Sequence, residues 1–265
     1  MSTSVHIVTN KNEKLCYLTE SMSAAGLEFE QVNYSDEDIL IYLYQRSTRG
    51  IEITKEDFGF SVRIPFFANE ADYSLFQFAT EFLSKALDAD VINDDEEPAD
   101  LNLFFAPFSI KNVLSAEVEI LQEQIAKGND IELPGPIRDL KIGRWLREQL
   151  EKFVAPNDFA KELTRRMLML QYPPEEFATF SNLMRTSEKT GDERYLQVIT
   201  NERNTVIEKV DEYAIPNPTG RTIYLDPKQL YQFIPEQWMR IDENVILASV
   251  LPEPEWQKYC DTIQH

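Results

Sequence analysis

Few residues in this chain are of a type suited to imidazole, thiolate or metal chemistry. Histidine occurs only as His6 and as the final residue, His265, and cysteine only as Cys16 and Cys260. A Ser-His-Asp or Cys-His arrangement would have to use one of those two imidazoles. His6 alternates with apolar neighbours in Ser4-Val5-His6-Ile7-Val8, which predicts an exposed or edge position on a strand. There is no CxxC, no HExxH and no paired histidine, so no zinc site is expected. The eight glycines form neither of the common phosphate-cradling patterns, and their closest cluster, Pro134-Gly135-Pro136, reads as a rigid turn. No cofactor is expected. Two cysteines so far apart are read as ordinary reduced thiols rather than a disulfide framework.

Carboxylates are the abundant stock. The chain carries 46 acidic and 26 basic side chains in 265 residues, a net charge of −20. Paired acids can act as acid and base, or as acid and nucleophile, which keeps open a carboxylate-based hydrolase or transferase with or without a divalent ion. With so many carboxylates no particular pair stands out, and no catalytic residue is nominated. The stretch Asp88-Ala89-Asp90-Val91-Ile92-Asn93 lacks the sixth-position glycine of a calcium loop, and the twelfth position is Ala99, so no metal ligands are assigned.

The charge is uneven. Residues 1–135 hold 25 acidic and 9 basic side chains, and residues 136–265 hold 21 and 17. The densest points are Asp36-Glu37-Asp38 and Asp94-Asp95-Glu96-Glu97. Such turns can simply be solvated, or they can form an electronegative face that steers a basic protein partner into register. On the second reading the partner-binding residues are Asp36, Glu37, Asp38, Asp94, Asp95, Glu96 and Glu97. The nearby run Phe104-Phe105-Ala106-Pro107-Phe108 would be either core or the aromatic anchor of that interface. Nucleic-acid and membrane partners are not expected at this charge. A basic series, Arg138, Lys141, Arg144 and Arg147, recurs every three residues and is read as a solvated helix face with Arg144–Glu148 and Glu148–Lys152 pairs, rather than a phosphate stripe.

The elements that would position these residues follow from periodicity and punctuation. Ile51–Ile53 and Phe60–Ile64 flank a polar, glycine-containing turn and read as a hairpin. Strands are also expected at Ser4–Val8, Leu27–Val32, Ile39–Tyr44 and Val91-Ile92. Asn69 caps a long helix over about residues 70–88, with Asp72 as the capping-box acid and a broad apolar stripe through Tyr73, Phe76, Leu83 and Leu87. Further helices are predicted over about 112–127 and 138–153, after Asn157, and from Pro174 through Phe177, Phe180 and Met184. Period two returns at Tyr195–Ile199, Thr205–Val210, Thr222–Leu225 and Asn244–Ala248, with a turn at Asn217–Gly220 and a closing helix at Glu253–Ile263.

The fold class is therefore α+β: a mixed or antiparallel N-terminal sheet on a long amphipathic helix, a central helical segment, then a strand-rich C-terminal part. The two-proline break at Ile131–Pro136 suggests an acidic region 1–135 and a helical, then β-rich region 136–265, which could equally form one continuous domain. Met1–Asn10 has no signal-peptide pattern, and the richest apolar patch, Leu101–Ile110, contains Asn102 and Pro107, so a cytoplasmic protein is expected. By analogy of composition, the profile is similar to that of small acidic immunity and antitoxin proteins. The leading expectation is a non-enzymatic binding protein for a basic partner, with the carboxylate enzyme second and an assembly subunit third.

Overall fold

The computed structural model describes residues 2–179, 183–186 and 193–264, the side chains of 184–186 excepted. The chain divides into two compact units, residues 1–171 and 172–265. The division falls beyond the Ile131–Pro136 break, whose first residues, Ile131–Leu133, form a strand that pairs with Leu140–Ile142 on its far side.

The first unit is built on six antiparallel strands: β1 (Thr3–Val8), β2 (Glu30–Asn33), β3 (Asp38–Tyr42), β4 (Ile51–Glu56), β5 (Gly59–Ile64) and β6 (Asp90–Asn93), with helices α1 (Leu15–Ala24) and α2 (Glu70–Leu87) in chain order between them. The sheet order is β2-β3-β4-β5-β1-β6. Period-two alternation puts Val5, Ile7, Ile39, Ile41, Ile51, Ile53, Val62 and Ile64 on one face, where all are buried. That face packs with Leu75, Phe76, Ala79 and Leu83 of α2 in one apolar core. Each fully buried aliphatic or aromatic side chain there contributes about 1.5–3 kcal/mol. The β4–β5 hairpin and α2 lie where periodicity places them, and the N-terminal sheet is wholly antiparallel.

The start of α2 is fixed by Asp72, which has no exposed surface. Asn69 Oδ1 accepts the Asp72 N–H at 3.0 Å and the Asp72 carboxylate accepts the Asn69 N–H at 3.1 Å, completing the capping box. The same carboxylate accepts the N–H groups of Thr48, Arg49 and Gly50 and the Thr48 hydroxyl, at 2.9–3.2 Å. It thereby ties the β3–β4 connection to the helix. Gly50 sits at φ +70, where a Cβ would meet Ile41 O at 2.6 Å, so only glycine fits beneath that knot.

The rest of this unit comprises α3 (Leu101–Phe104), α4 (Pro107–Ala126), β7 (Ile131–Leu133), β8 (Leu140–Ile142), α5 (Arg144–Leu150) and α6 (Pro156–Gln171). The helix predicted over 138–153 is instead a three-residue strand followed by a short helix. Leu140 and Ile142 are both buried with Lys141 exposed between them, a period-two pattern too short to outweigh the helical one. Arg138 and Lys141 accordingly lie off the helix that carries Arg144 and Arg147. Lys141 Nζ lies 3.6 Å from Glu132, Arg147 lies 3.7 Å from Asp130, and only Arg144–Glu148, at 3.0 Å, is the expected i,i+4 pair. Lys152 donates to Gln149 rather than Glu148. Gln171, buried at the end of α6, accepts the N–H groups of Ile137 and Arg138 at 2.8 and 2.9 Å and so holds the β7–β8 loop against the helix.

The second unit runs through β9 (Ala178–Thr179), β10 (Leu183–Thr186), β11 (Glu193–Val198), β12 (Thr205–Glu208), β13 (Glu212–Pro216), β14 (Thr222–Leu225), α7 (Pro227–Gln232), β15 (Met239–Arg240), β16 (Val245–Ala248) and α8 (Glu253–Ile263). It forms two four-stranded sheets, β10-β11-β13-β14 and β15-β16-β12-β9, over a core that includes Tyr213, Trp238, Trp256 and Tyr259. Buried Gln197 joins the sheets: its side chain donates to Val206 O and accepts the Glu208 N–H, both at 2.9 Å. The helix predicted from Pro174 is replaced by a turn and β9, which runs parallel to β12 and takes its main-chain bonds there. Phe180 and His265 lie outside the described residues. Cys16 is exposed, Cys260 is buried, and both are free thiols.

Candidate functional site

Strand β6 ends at Asn93, whose side chain builds the acidic turn. Asn93 Oδ1 accepts the N–H groups of Asp95 and Glu97 at 3.0 and 2.9 Å, and the Asn93 N–H returns to Glu97 O at 2.9 Å. Glu96 takes the left-handed conformation, φ +61, to close it. Asp94 is tied to the sheet: it accepts the Ser4 N–H at 3.2 Å and lies 3.5 Å from His6 Nε2. His6 is not at an edge, since β1 is flanked by β5 and β6, and its ring stands edge-on to Phe58 at 5.3 Å. Asp95, Glu96 and Glu97 are exposed.

After the turn the chain folds back along β6. Pro98 bridges to Ile92, and the Ala99 N–H donates to Val91 O at 2.9 Å. Asp100 then caps α3 by accepting the N–H groups of Asn102 and Leu103. The aromatic run divides between the two roles open to it. Phe105 is buried and Phe104 half-buried, both edge-to-face with Phe76 at 5.4 and 5.8 Å. Phe108 and Leu103 are 59% and 56% exposed. A groove of about 410 Å³ is walled by Tyr73, Leu103, Phe104, Ile110 and Val113, with Asn93 and Asp100 also lining it and Ser109, next to Phe108 in the chain, at its edge. No lysine or arginine lines it.

The other acidic turn, Asp36–Asp38, lies at the far edge of the sheet and at the opposite end of the strands. From β3 to β6 there are four strand spacings, about 19 Å. The sequence-nominated residues therefore form two corners rather than one face. Asp38 accepts the Thr54 hydroxyl at 2.9 Å, and Glu37 O accepts the Lys55 N–H at 2.7 Å. Asp36 and Glu37 share a polar cleft of about 530 Å³ with Lys14 and Lys55, so this corner already contains cations.

A family model for a domain of unknown function, DUF4299, matches residues 3–179. The chain belongs to that family. The DUF4299 match takes in the six-stranded sheet, both acidic corners and the helical segment through α6. No curated protein and no solved structure matches the chain.

Within the DUF4299 region, two further carboxylates matter that sequence reasoning did not single out as a pair. Asp72 is read from sequence as a cap but not as a buried group, and Glu117 is not read at all. Glu117 sits on the apolar stripe of α4 between Leu114 and Val118, Leu121, a misplaced charge that is the signal for it. Its carboxylate accepts the Phe67 N–H at 3.0 Å, where Phe67 is at φ +62. Burial pushes the Glu117 carboxyl up to about 7, against the pull of that N–H and of Arg49. Burial also pushes Asp72 up, against its hydrogen-bond donors, and brings Arg49 down to about 10. The Arg49 guanidinium donates to Phe66 O at 2.7 Å. Both carboxylates are thus occupied by backbone N–H groups that shape the fold. Among the described residues no three His, Cys, Asp or Glu side chains converge to hold a metal ion. No helix of the described residues is long and apolar enough to cross a membrane.

Proposed function

We propose that this DUF4299 chain is a non-enzymatic binding protein that engages a basic protein partner at the β6–α4 corner. The observation that carries this reading is an apolar groove lined by exposed Leu103 and by Asp100, the only charged one among its described lining residues, with the acidic turn and exposed Phe108 next to lining residues in the chain. Leu103 and Phe108 supply anchor surface, and Asp95, Glu96, Glu97 and Asp100 supply charge with no cation lining the groove. Aromatic anchors carry most interface energy, while rim charge sets association rate and partner choice. The occupant is a basic segment of another protein that lays an apolar side chain between Leu103 and Val113. On this reading the protein is cytoplasmic and immunity- or antitoxin-like, covering a basic functional surface of its target. The carboxylate-enzyme reading has less support, because Asp72 and Glu117, whose pKa burial raises, hold backbone N–H groups rather than standing free in a cleft.

Capture from native lysate at low and high salt tests the reading, using the wild type and the D95N/E96Q/E97Q and F108A variants. The expected result is a stoichiometric basic protein held by the wild type, released as salt rises and lost by both variants. A partner retained equally by all three proteins would overturn it.

A further inference from the structure

A second cleft, of about 520 Å³, lies on the neighbouring face of α4 and is bounded by the start of α2 and by α6. Its wall is apolar, formed by Phe67, Ala68, Leu114, Val118, Ala160 and Leu168. The volume is in the range of small-molecule sites, which are mostly apolar with a few placed polar groups. Here those groups come from one face of α6, where Lys161 and Thr164 are one turn apart. Arg165, also at the cleft, is engaged by Glu162 through two bonds of 2.8 Å. Lys161 makes no ion pair or hydrogen bond among the described residues, and neither does the Thr164 hydroxyl. Lys161 is exposed and, unlike Arg165, has no carboxylate engaged to it among the described residues, so its charge is open to an anionic group at the cleft. The rim of the partner-binding groove has the opposite sign.

We propose that this cleft binds a molecule with an alkyl body and a carboxylate head. The chain packs along Leu114, Val118 and Leu168, and the head ion-pairs with Lys161 Nζ and accepts the Thr164 O–H. The carboxylate is argued from charge: Lys161 favours an anion, while the Glu70 carboxylate at the α2 end of the cleft disfavours one there, which fixes the orientation. The site is independent of the partner-binding corner and stands if that reading fails.

Calorimetric titration of the full chain with dodecanoate below its micelle concentration tests the proposal. One saturable site is expected, with dodecanol and dodecyltrimethylammonium weaker by about tenfold or more. Lys161→Glu should weaken dodecanoate by at least about tenfold, and Lys161→Arg should retain it. Ala160→Trp, at a half-buried position facing the cleft, should abolish binding; Thr164→Trp serves if that variant does not fold. Absence of saturable binding overturns the proposal. So does equal affinity for dodecanol, or dodecanoate binding that survives in a folded variant with the cleft filled.

Discussion

The two acidic corners of the first unit are alike in sequence and unlike in surroundings. Asp36–Asp38 stands beside Lys14 and Lys55 in a polar cleft, and one of its carboxylates serves a threonine on the adjacent strand. Asp94–Glu97 stands beside an apolar groove with Leu103 and Phe108 exposed, and no cation lines that groove. The first corner has lysines in the same cleft as its carboxylates, whereas the groove beside the second has none, which leaves that charge to be met from outside. Acidity by itself does not mark an interface; its neighbours decide whether the charge is spent within the fold.

The largest effect that bears on this contrast falls on the scaffold. Asp72→Ala would leave the N–H groups of Thr48, Arg49, Gly50 and Asn69 without their buried acceptor, and α2 carries Tyr73 into the groove wall. A loss of about 3–5 kcal/mol is expected by denaturant titration, and the binding corner should suffer with it. A loss under about 1 kcal/mol would mean that the knot does not organise the corner.

Next comes a pH effect confined to the groove-bearing side. Glu117, on α4, has a folded pKa of about 7, raised above its usual 4.5. A raised carboxyl binds its proton more tightly when folded, so its contribution is full below about pH 4.5 and lost as pH climbs through 7. Wild-type stability should therefore fall by up to about 3 kcal/mol between pH 5 and 8, and Glu117→Gln should flatten that slope. Melting curves across this range would refute the assignment if the variant kept the wild-type slope.

Smaller, and aimed at the contrast itself, is the anchor. Phe108→Ala should weaken the partner by about 2 kcal/mol while leaving the melting temperature near wild type, because this ring is largely exposed. Tyr17→Ala, at an exposed aromatic of α1, should leave affinity unchanged. Equal losses from both would erase the distinction between the corners. Smallest is the charge. D95N/E96Q/E97Q should slow association by about tenfold at low salt, and D36N/E37Q by much less. Stopped-flow rates at two salt concentrations separate the two; a reversed order would make the β2–β3 turn the interface.

Much of the scaffold was legible where sequence signals reinforce one another. Alternation plus a glycine turn marked the β4–β5 hairpin, Asn69 and Asp72 marked α2, and Glu253–Ile263 gave α8. Legibility failed where elements are too short to set a period. Leu140–Ile142 and Ala178–Thr179 are strands only because a partner strand lies alongside, and the helical spacing of Ile142, Trp145, Leu146 and Leu150 drew the expected helix back over the first of them. The position of His6 inside the sheet depends on β6 joining at the far edge, which no local pattern foretells. The acidic residues could be named individually, but the groove beside one set and the lysines beside the other are tertiary facts.

The fold-back of Pro98 and Ala99 along β6 has a consequence for how any partner is met. It occupies the outer edge of that strand, and the Asn93 and Ala99 N–H groups are already donated within the chain. An incoming polypeptide therefore cannot lengthen the sheet at this corner by backbone pairing, the route by which open edges recruit foreign strands and aggregate. Recognition there is left to side chains, which read composition and shape, and the corner stays closed to extended strands that offer only a backbone.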